Sequence, residues 1–159
     1  LAVLRGAMAQ GCRRAFVYCN SLSAAVDFPG LAEETGMRIV TPLDVYRRLA
    51  LRYRALGVIA ANAQGLSGIE KVLLEANPAL DLLGACALPV VLAVEAGMPP
   101  EELVERYRLA ALAAWFADGG MEALVLGCTH FPYFKEALAA RTGLPLVDPA
   151  EEMLRLLTQ

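Results

Sequence analysis

Met121-Glu-Ala-Leu-Val-Leu-Gly-Cys128-Thr129-His130-Phe131-Pro132 is the stretch that decides the fold. Its apolar run, Ala123 to Leu126, is short and uninterrupted, the pattern of a strand buried on both faces as in a parallel sheet. The run empties through Gly127 into a cysteine, a hydroxyl and the single histidine of the chain. In open α/β sheets the carboxyl ends of the strands border the ligand crevice, so reactive side chains in a row at such an end predict chemistry. A second stretch, Ala15-Phe-Val-Tyr-Cys19-Asn20-Ser21, repeats the design: a short apolar strand, a cysteine, then polar donors. Two strand ends therefore carry two thiols.

Working outward from these stretches, strand and helix patterns alternate. Leu1 to Gln10 has a helical apolar period and Gly11 as its stop. After the Cys19 strand, Asn20, Ser21 and Ser23 are N-cap residue types for a short helix. Arg38 to Thr41 reads as a brief strand, and Leu43 to Tyr53 as a helix with Arg47, Arg48, Arg52 and Arg54 on its outer faces. Leu56 to Ala60 is the next buried strand, Ala61 to Gly65 a polar loop, and Ser67 to Asn77 a helix. Leu80 to Leu83 and Val90 to Val94 are apolar runs flanking a loop that holds Cys86. Pro99-Pro100-Glu101-Glu102 opens a helix reaching Phe116, with Leu103, Tyr107, Ala111 and Trp115 as its core-facing stripe. Pro132 opens another helix to about Thr142, Leu144 to Val147 is a last strand, and Ala150 to Leu157 a last helix.

This alternation predicts an α/β fold with parallel sheets flanked by helices. The paired strand-to-cysteine units predict two pseudo-symmetric lobes with the active site between them: 1–42 plus 145–159 as the first lobe, 43–144 as the second.

A chain of 159 residues can bury a substantial core without disulfide staples. The net charge of -3, with 14 basic against 17 acidic residues, argues against a nucleic-acid partner and leaves a small molecule as the expected one. Mean hydropathy is high at +0.48. The longest uncharged apolar run, between Asp81 and Glu95, is broken by Gly84 and Pro89 and falls short of the roughly 20 residues a membrane helix needs. No signal-peptide pattern opens the chain, so the expectation is a cytoplasmic protein that meets no membrane. Cys12, Cys19, Cys86 and Cys128 form no CxxC pair and, with one histidine, no zinc spacing, so no metal is expected and the four should be free thiols. Cys12 and Cys86 read as packing residues. The chain begins at Leu1, without Met and inside a helical pattern, and a preceding segment is expected. Oligomeric state stays open, a homodimer included.

The chemistry follows from the two thiols. Amides at a strand end and a helix start stabilise thiolate, which predicts a pKa below the usual value of about 8.5. Two thiols facing across a crevice could hold a Cα–H between them, one removing a proton and the other returning one from the opposite side. That inverts a stereocentre. Asn20, Ser21, Thr129 and backbone amides are suitable donors for the carboxylates of an amino acid.

These residues resemble a known family. Leu126-Gly-Cys-Thr-His-Phe-Pro132, with Leu146-Val-Asp148 downstream, resembles the second-cysteine motif of the glutamate racemases, and Cys19-Asn-Ser21 with Ser23 resembles their first-cysteine motif. Gly57-Val-Ile-Ala60 with Ser67-Gly68, and Ala85-Cys86 through Glu95, are similar to further segments in family order. The resemblance implies a cofactor-independent racemase interconverting L-glutamate and D-glutamate for peptidoglycan. It makes Cys19 and Cys128 the two bases, has His130 assist Cys128, and gives Asn20, Ser21 and Thr129 to substrate. It also implies an upstream strand ending in Asp-Ser-Gly, which this chain lacks, and a threonine where Gln64 stands. Two alternatives remain at this level: a racemase of aspartate or another amino acid from the same superfamily, and a catalytically silent relative acting as a binding protein.

Overall fold

The computed structural model describes residues 1–158. Its elements run α1 (Ala2–Ala9), β1 (Arg14–Phe16), α2 (Asn20–Ala25), α3 (Phe28–Thr35), β2 (Arg38–Val40), α4 (Pro42–Arg52), β3 (Ala55–Ala60), α5 (Ala63–Ala76), β4 (Asp81–Cys86), α6 (Leu88–Glu95), α7 (Pro100–Arg106) and α8 (Leu109–Asp118). After these come β5 (Ala123–Gly127), a 3-10 turn (Phe131–Phe134), α9 (Lys135–Ala139), β6 (Leu146–Val147) and α10 (Pro149–Thr158). Every strand pairing is parallel. β1 pairs with β2, and a four-stranded sheet has the order β4-β3-β5-β6. The fold is α/β with parallel sheets flanked by helices.

The larger sheet is covered on both faces, which is why its inner strands read as unbroken apolar runs. Side chains alternate between two cores. Ile59, Leu124 and Leu126 point into one, with Val90, Leu103, Phe116 and Phe134 from the helices on that side. Leu56, Val58, Ala60, Ala123 and Val125 point into the other, against Tyr46, Leu49, Ile69, Leu73 and Met153. Every residue of β5 is buried. β6 is hydrogen-bonded to β5, so Leu146–Val147 belongs to this larger sheet, while α10 after it packs on α4, β1 and β2.

Several sequence expectations change. The helix expected from Glu101 to Phe116 is two, because Arg108 takes a left-handed backbone (φ 52°) and the hydrogen-bonded ladder restarts after it. The restart changes the buried face. Leu109, Ala113 and Phe116 are buried, whereas Trp115 is 51% exposed and Ala111 is exposed. The Phe116 ring fills a notch in β3, since a Cβ on Gly57 would lie 2.7 Å from its Cδ1. Val90 to Val94 is helical within α6, whose proline sits in the first turn, where a missing N–H costs nothing. Cys86 is the last residue of β4 rather than part of a loop, and both Cys12 and Cys86 are exposed rather than packed. α5 begins at Ala63, so the polar loop after β3 is shorter than its sequence implied. Asn62 caps that helix, its Oδ1 accepting the Gly65 N–H at 2.9 Å.

Candidate functional site

β1 and β5 lie in different sheets, yet the residues that follow them meet. Cys19, Asn20 and Ser21 after β1, and Cys128, Thr129 and His130 after β5, line one crevice of about 200 Å³. All six residues singled out in the sequence are there. Asn62 and Gly65 from the start of α5, and Leu88 and Val91 from α6, complete the wall. Gly68 allows the close approach of α2 to α5: a Cβ there would lie 2.5 Å from Ala24 Cβ. Gln64 is exposed and is not part of the crevice wall.

On the β5 side the strand fixes a proton path. Cys128 Sγ lies 3.5 Å from His130 Nδ1, and His130 Nε2 lies 3.0 Å from Glu95 Oε1 at the end of α6. With Nε2–H donated to the carboxylate, Nδ1 is free to accept the thiol proton; doubly protonated, the ring donates to both thiolate and carboxylate. Glu95 is a side chain in contact with the candidate site that reasoning from sequence did not single out. It lies 35 residues from His130, and only the packing of α6 over the sheet brings them together.

The expected lowering of the thiol pKa fails at Cys128. Burial pushes this thiol up, and the backbone amides of His130 and Thr129 offset only part of that; a charge on Cys19 or on Glu95 raises it further. Desolvation outweighs the strand-end amides. Burial thus favours the neutral thiol at Cys128, and the His130 imidazole is the nitrogen base in contact with it.

On the β1 side polar contacts do the positioning. Cys19 is the N-cap of α2, and its carbonyl accepts the Ser23 hydroxyl at 2.6 Å. Asn20 is buried, its Oδ1 accepting the Tyr46 hydroxyl at 2.6 Å. Tyr18 donates its hydroxyl to Asp148 Oδ1 at 3.3 Å, and the same oxygen accepts the Ala150 N–H at the start of α10. Burial first, and Asp148 second, push the Tyr18 phenol well above its ordinary range.

The Asp/Glu/Hydantoin racemase family matches residues 1–157, nearly the whole of the chain that builds this crevice. The chain belongs to that family. A glutamate racemase of Thermus thermophilus is 36% identical to it over 148 residues, which are 89% of this chain and 52% of that protein. The chain thus spans about half the length of such curated relatives. Among solved structures, the glutamate racemase of Francisella tularensis subsp. tularensis SCHU S4 in complex with D-glutamate superposes with a TM-score of 0.77 at 22% identity, over 98% of this chain and 59% of that one. The Thermus thermophilus glutamate racemase in complex with beta-chloro-D-alanine gives 0.65 at 28% identity, over 99% and 61%. These likenesses extend over nearly the whole chain, parallel sheets included.

Proposed function

We propose that this protein is a cofactor-independent amino-acid racemase that interconverts L-glutamate and D-glutamate through two thiols. The observation that carries the reading is the meeting of Cys19 and Cys128, from separate sheets, in one crevice with neutral hydrogen-bond donors between them. One sulfur, as thiolate, takes the Cα proton; the other, as thiol, gives its proton to the opposite face of the carbanion, so the substrate gains and loses one proton and the two sulfurs exchange protonation states. Running the reaction in the other direction exchanges their roles. His130, held by Glu95, supports the Cys128 half of the cycle by holding that sulfur's proton when the thiolate is needed. Asn20, Ser21 and Thr129 bind the substrate carboxylates and stabilise the carbanion-like transition state.

The two-lobe reading belongs with this mechanism: the small sheet contributes Cys19, the large sheet Cys128, and substrate binds between. The names of the relatives support glutamate as the substrate, and with it a role in supplying D-glutamate for peptidoglycan in the cytoplasm. Among the described residues no helix is long and apolar enough to cross a membrane.

The test is proton NMR of L-glutamate and of D-glutamate, incubated separately with the protein in D2O and followed for loss of the α-proton signal. Exchange with inversion is expected, falling roughly 10²–10⁴-fold in Cys19→Ala and in Cys128→Ala. No exchange from the folded chain, and none after an upstream strand ending in Asp-Ser-Gly is joined to it, would overturn the reading in favour of a silent binding relative. Exchange of aspartate in place of glutamate would move the protein to a sister activity.

A further inference from the structure

The crevice holds one residue whose chemistry depends on a group outside it. Asn20 has a side-chain amide that can present either a carbonyl oxygen or an NH2 group to a ligand, and these recognise opposite partners. Tyr46 removes the choice. It projects from α4, a helix started by the Thr41–Asp44 capping box, and its side chain is completely buried. Its hydroxyl donates to Asn20 Oδ1 at 2.6 Å, across 26 residues of chain. Among the described residues Nδ2 has no hydrogen-bond partner while no fully buried side-chain nitrogen or oxygen lacks one, so Nδ2 keeps solvent access, and Asn20 lines the crevice.

We propose that Tyr46 is the positioning residue that locks the Asn20 amide with its NH2 group facing substrate, making this wall of the crevice a donor for a carboxylate and a poor site for the α-ammonium group. This inference rests on the racemase reading for the identity of the substrate, and not for the lock itself. The lock is steady because the phenol stays protonated. Burial holds its pKa well above the ordinary tyrosine range, and the neighbouring Tyr18, Asp148 and Cys128 add to that, while only the bond to Asn20 pulls the other way. A buried phenol that stays protonated must place its O–H on an acceptor; with the amide turned around, Tyr46 would accept from Nδ2 and leave its own proton unpaired away from water.

The decisive variant is Tyr46→Phe, which keeps the ring and removes the donor. The KM for glutamate should rise about tenfold with kcat little changed, the size expected for one hydrogen bond that orders a binding group. The same change made in an Asn20→Ala background should have no further effect on KM, because Tyr46 acts through Asn20. A readout independent of turnover is the Asn20 side-chain NH2 pair in 15N NMR, identified by its loss in Asn20→Ala. It should be a single fixed pair in the parent, shifting on addition of L-glutamate, and should broaden or move in Tyr46→Phe. If Tyr46→Phe does not fold, Asn20→Asp serves instead: with Tyr46 still donating to one oxygen, the other faces the substrate carboxylate, and KM should rise well above that of Asn20→Ala. An unchanged amide pair and KM in folded Tyr46→Phe, additive effects in the double variant, or Asn20→Asp binding no worse than Asn20→Ala would each overturn the proposal. An amide pair that depends on Tyr46 but ignores glutamate would leave the lock standing and sink the substrate reading instead.

Discussion

Cys128 leaves a strand that is paired on both sides and buried along its whole length, whereas Cys19 leaves a three-residue strand that is partly exposed and paired with β2. The two thiols reach the same crevice by different means. Cys128 is placed by packing, and its polar partners, His130 and through it Glu95, form a line of contacts leading away from the sulfur. Cys19 is placed by side-chain bonds, two of which tie its surroundings to other elements, Tyr46 to Asn20 and Tyr18 to Asp148, while Ser23 bonds the Cys19 carbonyl within its own helix turn. A core strand and a set of polar ties respond to different insults.

The comparison is broken most sharply at Gly127. A Cβ there would lie 2.7 Å from Ile69 Cδ1 and 2.9 Å from the Ile59 carbonyl oxygen, so Gly127→Ala should cost about 1–3 kcal/mol. Urea unfolding would measure it. On the other side Gly65→Ala meets Ser21 and Asn62 only at ordinary contact distance and should leave the midpoint nearly unchanged. Equal losses would show that packing matters alike on both sides.

A smaller effect is expected from Glu95→Gln, which keeps a partner for His130 Nε2 but removes the charge. Because the Glu95 side chain is 60% exposed, its field is screened, and kcat/KM should fall about tenfold with stability unaltered. A matching fall in stability would make the contact structural instead.

The smallest effect at neutral pH, growing as pH rises, concerns the buried acids of the two sides together. Cys128, Tyr18 and Tyr46 have folded pKa values above their ordinary 9.0 and 10.0. Each is a neutral group when protonated, so the unfolded chain loses these protons first. Their contribution is complete below about pH 9 and declines as pH climbs beyond it. Urea midpoints should therefore hold steady from about pH 7 to about 8.5 and drop by about pH 10.5, with a shallower drop in Tyr46→Phe. A midpoint independent of pH across that range would count against the burial of these groups.

The strands that order the fold were legible because β3 and β5 are buried on both faces and so carry unbroken apolar runs. The six crevice residues were legible because each follows a strand directly in sequence. What stayed hidden depends on packing between elements. α6 is apolar on nearly all sides, so no period marks it as a helix. The left-handed turn at Arg108 has no glycine to announce it, and it moved the buried face from Trp115 to Phe116. Glu95 and Tyr46 belong to helices whose residues reach the site only when those helices dock on the sheets. The raised pKa of Cys128 was missed for the same reason, since the strand-end amides can be read from sequence order and desolvation cannot.

Gly127 has a consequence for how such a site could change over generations. The atoms that bar a larger residue there include a main-chain oxygen of the adjacent strand, which no substitution can trim. A lineage could exchange Asn20, Ser21 or Thr129 to suit another substrate and repair the neighbours one at a time. At Gly127 the main-chain contact offers no such repair, and a larger residue carries its cost for as long as β5 stays paired with β3.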